Sequence, residues 1–414
     1  MMRNIKYRLT FIFLFLTFTA TVTVNAQDPD SDSAVIRFLS GQGVPVTENN
    51  SVKLLNGGRE KFDDLFQSIA KAKHHIHLEY FNFRNDSIAG LLFRLLAEKA
   101  KQGVEIRAVY DAFGNCSNNM PLKKKHLDSI RKNGIEIFPF DPLCFPFINH
   151  IFSRDHRKIV IIDGQTAYTG GINVADYYIE GLPETGEWRD MHVRIEGSAA
   201  GCLQKIFLSI WNEVTGQEIT GIQYFPSHAD IDGKTVAIID RVPKKLPRQL
   251  EETYLKSIRS AKNVIRIVNP YFLPVPAIKK ELKKAIARNV RVEIMISAKL
   301  DIKFTPDGVF HVAHRLMKKG ADIYIYNNGF HHSKIMTVDG KFCTVGSANL
   351  DYRSLRHDYE ANAFIFDGEI TNELDSIFEA DKENSVKMTP EIWKKRSLWK
   401  RFVGWIASGL SPLL

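Results

Sequence analysis

The sequence predicts an α/β fold that is built twice. One phrase of residues occurs in both halves of the chain, and each half alternates strand-like and helix-like segments. The text before the phrase also repeats, since Ser68–Lys73 is similar to Ser257–Lys262. We therefore expect two related α/β halves, residues 50–220 and residues 235–385, joined by a polar stretch.

The elements of the first half follow from periodicity. Alternation of apolar and polar residues predicts strands, and apolar residues at helical spacing predict helices. The expected strands are 76–83, 104–110, 135–140, 159–162 and 191–196, and the expected helices are 88–101, 121–132 and 199–215. The second half repeats this order but lacks the aromatic, proline-bearing insert 141–150. We expect that insert to line the entrance of a site or to form a plain surface loop.

The repeated phrase has the form H-x-K-x4-D-G, followed by G-[GS]-x-N, whose first glycine lies six positions after the glycine of the first part. Ring, ammonium, carboxylate and amide therefore recur in one order at one spacing, which excludes chance repetition. The first copy carries His156, Lys158, Asp163, Gly171 and Asn173, and the second carries His332, Lys334, Asp339, Ser347 and Asn349.

Paired phrases of this form resemble the phospholipase D superfamily, and the flanking text is similar to its bacterial cardiolipin synthase branch. The similar segments are Trp188–Asp190, Asn269–Phe272, Gly346–Ser354 and Leu410–Leu414. The resemblance implies a duplicated phospholipase D-like fold, with two α/β/α layered halves related by pseudo-twofold symmetry and one active site at their interface. Typical synthases of this branch begin with two membrane-spanning segments, and this chain departs from that pattern.

The first 26 residues differ from the rest of the chain. Three cations precede the uncharged stretch 9–24, and small residues lead to Ala26, so residues 1–26 are typical of a cleaved secretory signal peptide. The other interpretation is a short uncleaved anchor, although the stretch falls short of the ~20 residues that span a bilayer. We expect an exported protein on the periplasmic side of the cell envelope, peripherally bound to the membrane, or an inner-membrane protein held by the anchor.

Composition sets further limits. The chain is 44% hydrophobic and 25% charged, which is typical of a globular protein, and its net charge of +9 is weak evidence for either an anionic membrane or a nucleic-acid partner. Its four cysteines form no C-x-x-C pair and no zinc spacing, so no metal site is predicted. Cys116 and Cys144 form the one pair we consider for a disulfide, against four idle thiols.

The residue types of the phrase suit a phosphodiester. In a strand, residues i and i+2 point to the same side, so each H-x-K pair delivers a ring and a positive charge to one place. Cations and amides stabilise the charge that develops on phosphoryl oxygens, while two histidines divide attack and proton donation. The catalytic candidates are His156, Lys158, Asp163, His332, Lys334 and Asp339, and the phosphate-binding candidates are Asn173, Asn349 and Ser347.

Two of these candidates have an alternative role, and two further residues join them. Asp163 and Asp339 each precede a glycine, which also favours turn residues that brace the strand. A nucleophilic histidine needs a carboxylate on its other nitrogen, and we expect Asp190, which follows His156, and Glu360, which follows His332, to fill that place. The resemblance supports these two as orienters and favours His156 as the nucleophile, with His332 as acid and base.

The C-terminal segment 389–414 has apolar residues at helical spacing and a cluster of cations, with three of the five tryptophans. This pattern is typical of an interfacial membrane helix, although a terminal helix packed onto its own sheet would fit it too. We expect an anionic phospholipid membrane as the partner, with no nucleic acid.

Three functions remain open from the sequence. The resemblance implies a transferase that makes cardiolipin and glycerol from two phosphatidylglycerol molecules through a phosphohistidine intermediate. The alternatives are a hydrolase of the same superfamily, acting on phospholipid or as an exported nuclease, and a non-enzymatic membrane protein. No metal or organic cofactor is implied. One chain carries both half-sites, so catalysis is expected from a monomer.

Overall fold

A computed structural model describes residues 30–142, 152–228, 233–301 and 305–411 of the chain. The predicted signal segment 1–26, most of the insert before His156 and the last three residues lie outside these ranges. Cys144 lies outside them too, so its pairing with Cys116 stays a prediction.

The first half alternates helices and strands over about 190 residues of the chain. Its helices are α1 (Ser31–Gly41), α2 (Gly58–Lys71), α3 (Ser87–Lys101), α4 (Ala112–Ser117), α5 (Lys124–Lys132), α6 (Tyr177–Glu180) and α7 (Ser198–Thr215). Its strands are β1 (Val46–Asn56), β2 (His75–Tyr80), β3 (Glu105–Asp111), β4 (Ile135–Phe140), β5 (Lys158–Ile162), β6 (Thr166–Gly170), β7 (Glu187–Arg189) and β8 (Met191–Gly197). A short 3-10 helix, Ile222–Tyr224, follows.

The second half repeats this order. Its strands are β9 (Lys234–Arg241), β10 (Val264–Val268), β11 (Arg291–Ser297), β12 (Asp322–Tyr326), β13 (Gly329–His331), β14 (Ile335–Val338), β15 (Phe342–Gly346), β16 (Glu360–Phe366) and β17 (Ser385–Lys387). Its helices are α8 (Gln249–Ser260), α9 (Pro276–Ala287), α10 (Thr305–Met317), α11 (Tyr352–Arg356), α12 (Gly368–Glu383), α13 (Pro390–Lys395) and α14 (Leu398–Gly409).

The strands form one 15-stranded sheet whose order reveals the duplication. β1 and β9 pair antiparallel in its middle. Outward from β1 the order is β8-β6-β5-β2-β3-β4, and outward from β9 it is β16-β15-β14-β10-β11-β12, with β17 at the far edge. In both halves the last three of these strands are parallel and the others antiparallel. The predicted duplicated α/β fold is confirmed.

Helices cover both faces of the sheet, because its strands are apolar on both sides. β2 and β5 are buried along their whole length. α7 packs on the central strands around the fully buried Trp211. α1 joins the apolar core of the second half through Val35 and Leu39, although it stands at the start of the first half in sequence. The ordered fold therefore starts before residue 50, which falls inside β1.

The C-terminal segment forms two helices where its sequence pattern predicts one. The backbone is extended at Arg396, and the side chain of Ser397 then caps α14 by accepting the N–H of Lys400. α14 packs closely on α10, since a Cβ built at Gly404 would lie 2.3 Å from the carbonyl oxygen of Asp307. No helix within the described ranges is both long enough and apolar enough to cross a membrane.

Candidate active site

Two short pairings between the halves position the catalytic histidines. Asp155 forms a parallel bridge with Tyr359, and the N–H of His156 donates to the carbonyl of Tyr359 at 3.0 Å. The residue after this bridge is His156 in one half and Glu360 in the other. The bridge therefore brings these two side chains together.

The second pairing has the same form. β7 and β13 run parallel, and the N–H of His332 donates to the carbonyl of Arg189 at 2.6 Å. The residues that follow the two strands are Asp190 and His332. The sequence pattern predicts that each H-x-K pair lies on a strand. In the structure neither pair lies wholly within one, because Lys158 opens β5 and Lys334 precedes β14.

Each histidine is held by a carboxylate of the other half. His156 Nδ1 lies 3.0 Å from Glu360 Oε1, and His332 Nδ1 lies 2.7 Å from Asp190 Oδ2. An ionised carboxylate only accepts, so Nδ1 carries the proton and Nε2 is left for chemistry. The two predicted orienters thus do meet the histidines, but across the interface, since each contacts the histidine of the other half.

The pKa values of the two carboxylates shift in opposite directions. Burial alone would raise the pKa of Asp190, but Lys334 and His332 bring it below its usual value. Burial raises the pKa of Glu360, and Lys158 opposes this rise only in part. Asp190 is therefore the better partner for an imidazolium at His332.

The lysines lie beside their histidines. Lys334 Nζ is 3.0 Å from His332 Nε2, and Lys158 Nζ donates to the carbonyl of His156. Burial lowers the pKa of both lysines, that of Lys158 to about 7. Burial and the neighbouring ammonium groups also lower the pKa of His156 well below its usual value, so its imidazole is neutral. A phosphate bound in the cavity would lie beside both rings, with one ammonium group next to each histidine.

Asn173 and Asn349 complete the anion site from opposite sides. Both line the cavity that contains the histidines, and both are at least nine-tenths buried. The Oδ1 atom of each has no hydrogen-bond partner among the described residues, while Asn173 Nδ2 donates to the hydroxyl of Tyr178 at 3.2 Å. Both amides thus lie at the cavity, and their phosphate-binding role stays a prediction.

Ser347 does not match that role. Its hydroxyl donates to Glu360 Oε2 and accepts the N–H of Ala361 at 3.0 Å, and the side chain is fully buried. It fixes the carboxylate that orients His156, so the expectation that Ser347 binds phosphate is corrected. The serine follows β15 directly, and this turn aims its hydroxyl at the start of β16.

Asp163 and Asp339 are turn residues. Asp163 accepts the backbone N–H groups of residues 73–75, and Asp339 accepts those of residues 262–264, at 2.8–3.0 Å. Asp163 follows the far end of β5, roughly 16 Å from Lys158 at the rise of a β-strand. Both have φ of 55°. The alternative of bracing residues is correct, and their assignment to catalysis is corrected.

The cavity has a volume of about 480 Å³, and six aromatic side chains form one part of its wall, beside polar residues that include Asp301, Asp351 and Asp358. The ring of Phe81 stands edge-on to His156, with 5.1 Å between the ring centroids. The ring centroids of Trp188 and Tyr271 lie 5.5 and 6.0 Å from that of His332. Sequence reasoning assigned none of Phe81, Phe113 and Tyr177 to the site, and each follows an ordinary strand or loop. Asp351 and Arg353 also line the cavity, and the signal for them is the segment after the second phrase that carries the resemblance.

This arrangement defines a class of enzyme: a phospholipase D-like phosphodiester-transfer enzyme with one histidine from each half and a cage of ammonium and amide groups. Within the described ranges, no group of three or more His, Cys, Asp or Glu side chains is placed to hold a metal ion. The family model described as "Cardiolipin synthase, PLD-like domain" matches residues 65–211 and 254–382, one match in each half. The chain belongs to this family, and it is a phosphatidyltransferase of the phospholipase D superfamily.

Two bacterial cardiolipin synthases are similar to this chain over most of its length. The cardiolipin synthase of Listeria monocytogenes is 37% identical over 379 residues, which cover 91% of this chain and 78% of the relative. The major cardiolipin synthase ClsA of Bacillus subtilis is 38% identical over 371 residues, covering 89% and 76%.

Two solved structures share the fold at low sequence identity. The phosphatidylserine synthase of Haemophilus influenzae superposes with a TM-score of 0.68 at 13% identity, covering 93% of this chain and 100% of that one. The polyphosphate kinase of Porphyromonas gingivalis gives 0.55 at 11% identity, covering 88% and 54%. At these identities the likeness concerns the fold alone.

Proposed function

We propose that this enzyme converts two phosphatidylglycerol molecules into cardiolipin and glycerol through a phosphohistidine intermediate. The observation that carries the proposal is the crossed pair of histidines, each tied at Nδ1 to a carboxylate of the other half, with both rings at one cavity. The relatives named cardiolipin synthases supply the substrate class.

In the first step His156 Nε2 attacks phosphorus and the bond to the glycerol headgroup breaks. His332, protonated, gives its proton to the departing glycerol oxygen, so that glycerol leaves neutral. The low pKa of His156 keeps this ring nucleophilic, and the ionised Asp190 stabilises the imidazolium at His332. Lys158, Lys334 and the two asparagine amides stabilise the charge on the phosphoryl oxygens.

In the second step a glycerol hydroxyl of another phosphatidylglycerol attacks the phosphohistidine. His332, now neutral, takes the proton of that hydroxyl, and the P–N bond to His156 breaks. Cardiolipin leaves and both histidines return to their first state. The aromatic wall favours a lipid alcohol over water, since it narrows the space open to solvent around the two rings.

Membrane contact is proposed for the outer face of α14. Leu398, Trp399 and Trp405 are 78%, 70% and 59% exposed, and Phe402 lies between them on the same side. Cations in α13 and α14 flank this face, which suits an anionic phospholipid surface. Ser411, just after the helix, lines the active-site cavity, so this contact would hold the cavity mouth at the lipid surface.

The expected location follows from this contact and from the N-terminal sequence. We propose an exported enzyme on the periplasmic side of the cell envelope, bound peripherally to the membrane.

Purified protein supplied with phosphatidylglycerol vesicles tests the reaction, with products identified by mass spectrometry and the His156→Ala variant as control. Cardiolipin together with glycerol, both lost in the variant, is the expected result. Phosphatidic acid alone would show a hydrolase, and the absence of any lipid product would overturn the proposal.

A further inference from the structure

A second cavity lies outside the catalytic site, between α9, α10 and α14. Its volume is about 580 Å³, and it shares no lining residue with the catalytic cavity. We call it the basic groove, because Lys279, Lys280 and Lys283 of α9 and Arg315 of α10 line it. No acidic residue lines it.

Within the described ranges, no ion pair neutralises the positive charge of the basic groove. The three lysines are spaced so that one face of α9 carries them all. None of the four cations forms an ion pair with a described residue, whereas the neighbouring Lys284 is paired with Glu281 at 3.0 Å. Partial burial, Lys283 and Arg315 lower the pKa of Lys279, as expected for cations crowded without a counterion. The groove is therefore complementary to an anion.

The floor of the basic groove is apolar. Val312 and Leu316 of α10, together with Trp405 and Ile406 of α14, form this floor. Trp405 and Ile406 also belong to the exposed face of α14, so the floor continues into the surface proposed for membrane contact. A site with cations at one side and an apolar floor fits a ligand that has a charged head and hydrocarbon chains.

The walls of the basic groove are fixed by close packing. A Cβ built at Gly308 would lie 3.2 Å from Ala407 Cβ, so α10 and α14 touch almost backbone to backbone. Arg396 forms an ion pair with Asp307 and lies over the ring of Phe310 at 4.0 Å, and the ring of Trp393 stacks on His314 at 4.0 Å. The groove is thus a built feature of the fold.

We propose that the basic groove binds one anionic phospholipid molecule in addition to the lipid at the catalytic site. The lysines and Arg315 hold the headgroup phosphate, and the acyl chains lie along Val312, Leu316 and Trp405 toward the membrane. Phosphatidylglycerol as the ligand rests on the proposed function. A free phosphate ion would use the cations but would leave the apolar floor without a role.

Lipid stoichiometry tests this inference. Monomeric short-chain phosphatidylglycerol is titrated into the full-length His156→Ala protein, which cannot turn it over, and bound lipid is counted by native mass spectrometry and calorimetry. The test variant adds Lys279→Gln, Lys280→Gln and Lys283→Gln. The matched control instead adds Lys71→Gln, Lys101→Gln and Lys132→Gln, which remove the same charge from exposed helix ends. Thermal unfolding verifies that all three proteins fold.

Two lipids bound to the parent and control, but one to the test variant, is the expected result. Equal stoichiometry in all three would overturn the inference. Inorganic phosphate that displaces the second lipid completely at equal concentration would also overturn it, since the apolar floor would then contribute nothing. Cardiolipin formation by the wild-type enzyme is measured separately, so failure of the groove and failure of the proposed reaction can be told apart.

Discussion

The two half-sites contain the same phrase but hold their histidines differently. His332 is 8% exposed and its partner Asp190 has a lowered pKa, whereas His156 is 17% exposed and its partner Glu360 has a raised pKa. Aromatic rings of Trp188, Phe330 and Tyr271 surround His332, and Phe81 alone stands against His156 among the described rings.

These differences between the two histidine environments show how a duplicated site can suit its two histidines to different catalytic roles. An ionised, buried carboxylate stabilises a protonated ring, which suits the acid and base. A more open ring suits attack on phosphorus, and burial lowers the pKa of both rings, that of His156 further below its usual value. Symmetry of the fold thus brings two equal sets of groups together, and the differences in their surroundings favour the proposed roles.

The largest effect is expected from removal of either histidine. His156→Ala and His332→Ala should each lower cardiolipin formation by about 10⁴-fold or more, since each removes nucleophile or general acid. An ester of phosphatidic acid with p-nitrophenol separates the roles, because its leaving group needs no proton. His332→Ala should release about one equivalent of nitrophenol in a burst, and His156→Ala should release none. A burst from His156→Ala and none from His332→Ala would make His332 the nucleophile and His156 the acid and base.

Gly171 and Ser347 occupy the same place in the two copies of the phrase, so exchanging their residue types tests how each half-site holds its carboxylate. A Cβ at Gly171 would lie 2.2 Å from Asp190 Oδ1, so Gly171→Ser should displace the carboxylate and lower kcat by about 100-fold or more. Ser347→Gly removes one hydrogen bond to Glu360, which costs about 1.5–3 kcal/mol, or roughly 10- to 100-fold in kcat.

The matched control for this exchange is Gly201→Ser. A Cβ there has its nearest neighbour at 3.9 Å, so this change should leave kcat almost unaltered. Steady-state kinetics measures kcat for the three variants. If Gly171→Ser kept as much activity as Gly201→Ser, the tight fit between Gly171 and Asp190 would have no catalytic importance.

A smaller effect concerns pH and the lysine of the first half. Lys158 has a pKa of about 7, so its ammonium is present below this pH and is lost above it. Because the charged form binds phosphate, kcat/KM should fall as pH rises beyond about 7, by at most tenfold per pH unit. Lys158→Arg keeps its charge, and its remaining activity should decline only at higher pH. A profile for this variant identical to that of the wild type would assign the decline to another group.

The smallest effect on catalysis is expected at the turns. Asp163→Asn and Asp339→Asn each weaken the hydrogen bonds to three backbone N–H groups, which should lower the free energy of unfolding by about 1–3 kcal/mol. Turnover per folded molecule should change by less than about twofold, within the range of mutations away from the chemistry. Urea denaturation and kcat measure the two quantities. A large loss of kcat with unchanged stability would return both residues to the catalytic set.

The sequence by itself determined the duplication, the two H-x-K pairs and the asparagines that follow them. Spacing within a phrase is local, and residues two apart in an extended chain point to one side whatever surrounds them. The two carboxylates could also be named, because each lies at the start of a strand-like run. The same local text left the turn and catalytic roles of Asp163 and Asp339 open.

Only the tertiary structure decided which carboxylate serves which histidine. His156 and Glu360 are 204 positions apart in the chain, and His332 and Asp190 are 142 apart. The bridges that join them form only when the two halves pack, and no periodicity within either half records this. The hydroxyl of Ser347, the aromatic wall and the basic groove also depend on tertiary packing, because each is set by which elements pack together and not by the pattern within any one of them.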